Sequence, residues 1–163
     1  MRYPLAGRET LAALTAGSGL FTGALGLVRA VAKRALGPLA IPVAVGGGLM
    51  WLGRNLGDAY VELDGEKLRV KLGVLFDEVI PLNDISRVRQ ADWPLLGGLG
   101  VRTNMRDLVA VVTRPGPVAE ISLWRPYRLP VIPHVYWVRA QRILVSPKDL
   151  EAFSADLQAR LVS

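Results

Sequence analysis

The sequence predicts a mainly β domain carried behind an N-terminal helical hairpin and closed by a C-terminal α-helix. Three observations lead there. The first third of the chain holds two runs of nineteen residues without a charge, residues 60–145 alternate apolar and polar side chains over long stretches, and an amphipathic segment follows Ser146. The 163 residues are 51% hydrophobic, include 17 glycines and no cysteine, and carry a formal charge of +6. That charge is uneven: residues 1–54 have six Lys/Arg and one acidic residue, whereas residues 55–163 have fourteen Lys/Arg against thirteen Asp/Glu. The positive charge therefore sits with the most apolar part of the chain. This excludes a disulfide-stapled or disordered chain and speaks against a basic nucleic-acid binder, the alternative soluble reading, despite a pI near 10.2.

The first run covers Thr10–Val28 and the second Ala35–Gly53, with Arg29-Ala-Val-Ala-Lys-Arg34 between them. At 1.5 Å per residue each run just spans the roughly 30 Å of a bilayer's hydrocarbon. Gly and Pro dilute both, which is costly in an exposed soluble helix and better tolerated in lipid, where small residues let backbones approach. Gly19-x-x-x-Gly23 fits that use. Pro38 or Pro42 suits the start of the second helix, and Trp51 at its far end suits headgroup depth. The expectation is a two-helix membrane hairpin over residues 1–57, with helices at about 10–28 and 35–53 joined by a tight basic turn. Arg29, Lys33 and Arg34 in the turn oppose Arg2, Arg8, Arg54, Lys67, Arg69 and Lys71 on the flanks. The larger set favours a multi-pass protein of the cell membrane with both termini cytoplasmic.

After Gly57 the period changes to two. Tyr60 to Leu72 alternates around Asp64-Gly65, a dipeptide suited to a two-residue hairpin turn, which would set Glu62 opposite Lys67 and Tyr60 opposite Arg69. Phe76–Leu82 is a third strand and Asn83–Val88 starts a fourth. Asp107–Thr113 and Val118–Leu123 read as a hairpin joined by Arg114-Pro-Gly-Pro117, and Arg139–Val145 is the last strand. Ser146 as N-cap, Pro147 at the first helical position and Asp149 three residues on predict a helix over 147–161. Leu150, Phe153, Leu157 and Leu161 share one of its faces.

The stretches Tyr60-x-x-Leu-Asp-Gly-x-x-Leu-x-Val-x-x-Gly73, Ile80-Pro-Leu-x-x-Ile-x-x-Val88 and Ser146-Pro-x-Asp-Leu-x-x-Phe153 resemble the bacterial pleckstrin-homology-like domains. Members of this family often follow one or two membrane helices. The resemblance covers roughly residues 58–162 and implies a seven-stranded barrel, or curled antiparallel sheet, capped by the C-terminal helix. Trp124–Arg139, Pro-rich and aromatic, is longer than the turn that this pattern expects.

No combination of residues assembles a catalytic set. His134 is the single histidine, with no carboxylate closer in sequence than Glu120 and Asp149; Asp64, Glu66, Asp77 and Glu78 sit at turns. Gly97-Gly98-Leu-Gly100 lacks the Lys and Ser/Thr of a phosphate loop and reads as a flexible connector. The expectation is a non-catalytic protein without metal, cofactor or small-molecule substrate. Binding residues are easier to find. Lys67, Arg69 and Lys71 alternate, so they share a strand face that could meet anionic headgroups. Trp124, Arg125 and Arg128 with Trp137 combine aromatic bodies and guanidinium heads suited to a membrane interface or a protein groove. Trp93 heads an apolar loop, Trp93-Pro-Leu-Leu96, able to dip into a bilayer. The function expected is a membrane-anchored interaction module for a protein partner, such as a membrane protein, or for lipid headgroups, with no nucleic acid bound.

Overall fold

A computed structural model describes residues 1–33, 39–133 and 135–162. The chain divides into two compact units, residues 9–57 and residues 1–8 together with those from 58 onward. Pro38, Arg34 and His134, singled out above, lie outside the described residues, as does the side chain of Lys33.

The first unit is a pair of helices, α1 (Arg8–Lys33) and α2 (Ala40–Leu56). Arg29–Lys33, expected as a turn, instead complete α1, because Arg, Ala and Lys favour the helix and no breaker precedes Gly37. Pro42 falls in the first turn of α2, where a missing N–H costs nothing. Their closest approach is made by glycines spaced by seven. A Cβ on Gly19 would stand 2.5 Å from the Gly46 oxygen, one on Gly46 2.7 Å from the Gly19 oxygen, one on Gly53 2.8 Å from Ala12 O, and one on Gly26 2.3 Å from Pro42. The opposite faces expose Leu14, Leu20, Phe21, Leu25, Ile41, Val45 and Trp51. One described helix, Arg8–Ala32, is long and apolar enough to cross a membrane, and little of it is buried. The 17 described residues of α2 reach about 25 Å. The expectation of two equal spans is therefore met by one helix only.

Among the described residues the second unit contains nine strands in two sheets, not a closed seven-stranded barrel. In the first sheet β1 (Arg2–Pro4), β2 (Tyr60–Asp64), β3 (Lys67–Leu72) and β4 (Phe76–Pro81) are neighbours in that order, all antiparallel. In the second, β5 (Ile85–Trp93), β6 (Gly100–Thr103), β7 (Leu108–Val112), β8 (Gly116–Ile132) and β9 (Tyr136–Val145) lie in the order β5-β8-β9-β7-β6. In this open sheet β5 and β6 are the end strands, and β9 inserts between β8 and β7, pairing parallel with β7. Hence β7 and β8 do not form the expected hairpin. Trp124–Arg139, expected as an insertion, is instead the long end of the β8–β9 hairpin, with Tyr127 opposite Ala140 and Leu129 opposite Val138.

The β2–β3 hairpin forms one residue later than expected. Gly65, at φ 51, takes the first of two loop positions, a place that favours glycine, so Asp64 pairs with Lys67, Glu62 with Arg69 and Tyr60 with Lys71. The shift moves each pair by two, so polar and apolar faces stay as expected. Val61, Leu63, Leu68, Val70 and Leu72 are fully buried.

The closing helix, α3 (Leu150–Val162), starts three residues after the expected position. Asp149 is its cap, its carboxylate accepting the Ala152 N–H at 3.0 Å. Ser146 cannot cap because the N-terminal segment holds 146–148 extended: Ala6 N–H donates to Ser146 O at 2.7 Å, Leu5 bridges Pro147, and Lys148 N–H donates to Pro4 O at 2.8 Å. The Ser146 hydroxyl instead accepts the Thr113 N–H at 3.0 Å, and both side chains are buried. Phe153 and Leu157 are fully buried on α3, which lies against β5 and β8. Tyr3 of β1 meets Phe153 edge to face at 5.5 Å.

Candidate functional site

Lys67, Arg69 and Lys71 do project from one face of β3, but the neighbouring strands supply counter-charges. Arg69 forms a two-pronged pair with Asp77 of β4, both bonds at 2.7 Å, and Lys71 Nζ stands 3.8 Å from the same carboxylate. The Arg69 bond is the main reason that the Asp77 carboxyl is held below the usual aspartate range. Lys67 is exposed, opposite Asp64 and Pro81. Arg2 of β1 stacks over the Tyr60 ring at 4.1 Å and reaches Glu62 at 3.3 Å. The basic stripe is thus largely a charge-paired sheet face, and exposed pairs of this kind contribute little stability.

Trp93 is half buried, against the buried apolar cluster of Ala110, Val112, Val118 and Leu144 in the second sheet. Its indole N–H donates to Gly98 O at 2.8 Å, and a Cβ on Gly97 would come within 2.6 Å of the ring. Gly97-Gly98 is therefore a seat for Trp93 and not a flexible connector, and Leu95 and Leu96 are left outside; Leu96 is 99% exposed. On the same sheet Glu120 is buried between Arg89, at 2.8 Å, and Arg142, at 3.9 Å, and Arg142 continues to Asp107 at 2.9 Å. These four ion-paired side chains cross neighbouring strands β5, β8 and β9 as far as the turn before β7.

The aromatic and basic residues of 124–139 separate into two places. Trp124, 71% exposed, and Arg125 occupy the break in register between Ser122 and Tyr127. Asp84, just before β5, holds this break: its carboxylate accepts the Tyr127 hydroxyl at 2.5 Å and pairs with Arg125 at 3.0 Å. Those two bonds, Tyr127 first, hold the Asp84 carboxyl below its ordinary range, and the same bond raises the Tyr127 hydroxyl. Arg128 and Trp137 meet farther along, the guanidinium 4.9 Å above the indole. Beyond them the hairpin end leaves Ile132, Val135 and Tyr136 exposed.

Trp137 also lines a cavity of about 360 Å³ with Pro130 and Pro133 of the hairpin end, Val74 and Leu75 of the β3–β4 turn and Phe76–Glu78 of β4. Glu78, expected at a turn, lies on β4 instead. Its place on β4 is opposite Val70, on the same face as the buried Phe76 and Ile80, and it has no hydrogen-bond or ion-pair partner among the described residues. Burial first, and the neighbouring Asp77 second, raise its carboxyl above the usual glutamate range. The signal was present in the sequence: Phe76, Glu78 and Ile80 share the parity of a core face, and an acid there breaks the pattern. Comparison with family models, with curated proteins and with solved structures finds no match to this chain.

Proposed function

We propose that the protein is a non-catalytic, membrane-anchored interaction module, its helical hairpin seated in the cell membrane and its pleckstrin-homology-like β unit in the cytoplasm. The observation that carries this reading is the inverted helical unit, in which glycine backbones touch while leucine, phenylalanine and valine face outward. Water would penalise that arrangement, whereas in lipid the outward side chains are solvated and close backbone packing holds the pair together. On this reading α2 lies in the membrane with α1, tolerating its shorter length by local thinning. The two sheets and the closing helix support the pleckstrin-homology-like reading of the β unit; the parallel β7–β9 pair and the open edge depart from it.

A protein partner fits the β unit better than a lipid headgroup surface. Among the cations singled out, Arg69 and Lys71 share Asp77, and Arg125 holds Asp84. Alkaline carbonate washing of membranes tests the anchor: retention in the pellet is expected, and release of the full-length protein would refute it. A green-fluorescent fusion after the last residue should glow, and an alkaline phosphatase fusion there should be inactive. Replacing Lys67, Arg69 and Lys71 together with Glu should leave binding to phosphatidylglycerol vesicles within about twofold; a collapse of vesicle binding would restore the headgroup surface.

A further inference from the structure

The cavity beside Glu78 has the opposite charge preference to the rest of the chain. Its walls are Val74, Leu75, Phe76, Pro130, Pro133 and the Trp137 indole, and its volume of about 360 Å³ is at the small end for a ligand site. That suits one side chain better than a cofactor. Two carboxylates line it. Asp77 is committed to Arg69 and Lys71, whereas Glu78 has no partner among the described residues. A half-buried carboxylate on a core face, with no partner among the described residues, costs free energy, and folding alone gives no return for it. Arg128 stacks on the same indole but is not among the residues lining the cavity, so it does not fill the place of a counter-ion.

We infer that this cavity is a recognition pocket for a lysine side chain of a protein partner, the ammonium bonding to Glu78 and the methylene stem lying along Trp137, Pro130 and Pro133. The chemistry follows from the walls. A lysine stem is apolar along four carbons and its head is a compact cation with three donors, matching an apolar slot with one acceptor group. The forked guanidinium of arginine would ask for two carboxylates, and Asp77 already holds its own cations. The inference deepens the protein-binding reading above and is independent of the anchor: release by carbonate would overturn the anchor and leave this pocket standing.

The test uses the full-length protein in detergent, with N-acetyl-lysine-methylamide as the probe and its uncharged norleucine counterpart as the control. Saturable binding of the lysine probe, followed by NMR at the Trp137 indole, is expected to weaken roughly tenfold or more in Glu78→Gln, the scale of one charge-assisted hydrogen bond. Trp137→Ala should weaken it as well. Glu78→Gln should at the same time raise the thermal midpoint, because it removes from a partly buried site a charge that has no partner among the described residues. A structural role alone would give the reverse, a destabilised variant. Equal binding of the norleucine control, unchanged lysine binding in Glu78→Gln, or binding of phosphatidylethanolamine vesicles at the Trp137 indole without any binding of the lysine probe would each overturn the proposal.

Discussion

In the helical unit the residues at closest approach are glycines, Gly19 and Gly26 against α2 and Gly46 and Gly53 against α1, while Phe21, Leu25, Ile41 and Trp51 face outward. In the β unit the order is reversed: Phe76, Ile80, Ile121, Ile143, Phe153 and Leu157 are buried, and charged residues pair across neighbouring strands. One chain thus contains two solutions to packing. The β unit is held by removal of apolar area from water, whereas the helical unit forgoes that term and relies on backbone contact. The two should therefore respond in opposite ways to adding and removing side-chain volume.

The largest effect is expected in the β unit. Phe153→Ala removes a fully buried ring that Tyr3 meets edge to face, and should cost about 3–5 kcal/mol there. Amide hydrogen exchange of the full-length protein in detergent would show protection lost in residues 60–162 and kept in α1 and α2. Equal loss in both would break the division into two units. The converse change is smaller. Gly46→Leu must displace the Gly19 backbone, which a Cβ would already approach to 2.7 Å, and should weaken the helix pair by roughly 1–3 kcal/mol. Gly47 and Gly48, with nothing within 4 Å of a Cβ, supply the control: alanine at either should leave the pair unharmed or stabilise it by up to about 1 kcal/mol through helix propensity. A cost at Gly47 equal to that at Gly46 would mean that the contact face has been misassigned.

Much of this contrast was legible in the sequence, because it follows from periodicity. The apolar parity of Tyr60–Leu72 and the helical spacing of Phe153 and Leu157 are local signals, and the burial follows them. The seven-residue spacing of Gly19 and Gly26 and of Gly46 and Gly53 was also present, and Gly19-x-x-x-Gly23 marks the same contact: a Cβ on Gly46 would stand 3.2 Å from Gly23 N, although one on Gly23 itself meets nothing within 4 Å. What escaped depends on distant partners. Three residues, Arg2–Pro4, are too short to announce a strand, yet they pair with β2, and the residues next to them hold 146–148 extended, displacing the helix cap from Ser146 to Asp149. The parallel pairing of β7 with β9 is equally non-local, and the Arg114–Pro117 turn signal, though real, could not show that another strand would come between its arms. For the binding residues, composition showed the cations and could not show that Asp77 and Asp84 already held three of them.

The smallest expected effect separates the units by charge. Asp77, Asp84 and Asp107 all lie below the ordinary aspartate range: Asp77 chiefly through its bond from Arg69, Asp84 through that from Tyr127, and Asp107 through that from Asn104 with Arg142 adding to it. The unfolded chain, with ordinary carboxyls near about 3.9, takes up protons first as pH falls. The stability that these groups contribute is therefore complete above about pH 4 and is lost progressively below it, as pH passes through the depressed native values. Beyond Glu9 in the first turn of α1, residues 10–57 contain no carboxylate, so the helix pair holds none of these depressed carboxyls. Acidification of the full-length protein in detergent from roughly pH 5 to 2 should loosen the β unit while exchange in α1 and α2 stays flat. Asp84→Asn should pre-empt part of this change. It weakens the link to Arg125 and Tyr127, so amides of Tyr127–Ala140 should exchange faster at neutral pH and change less on acidification than in the parent. If α1 and α2 open at the same pH as β8 and β9, the two units share a determinant that their side chains do not reveal, and the contrast drawn between them does not hold.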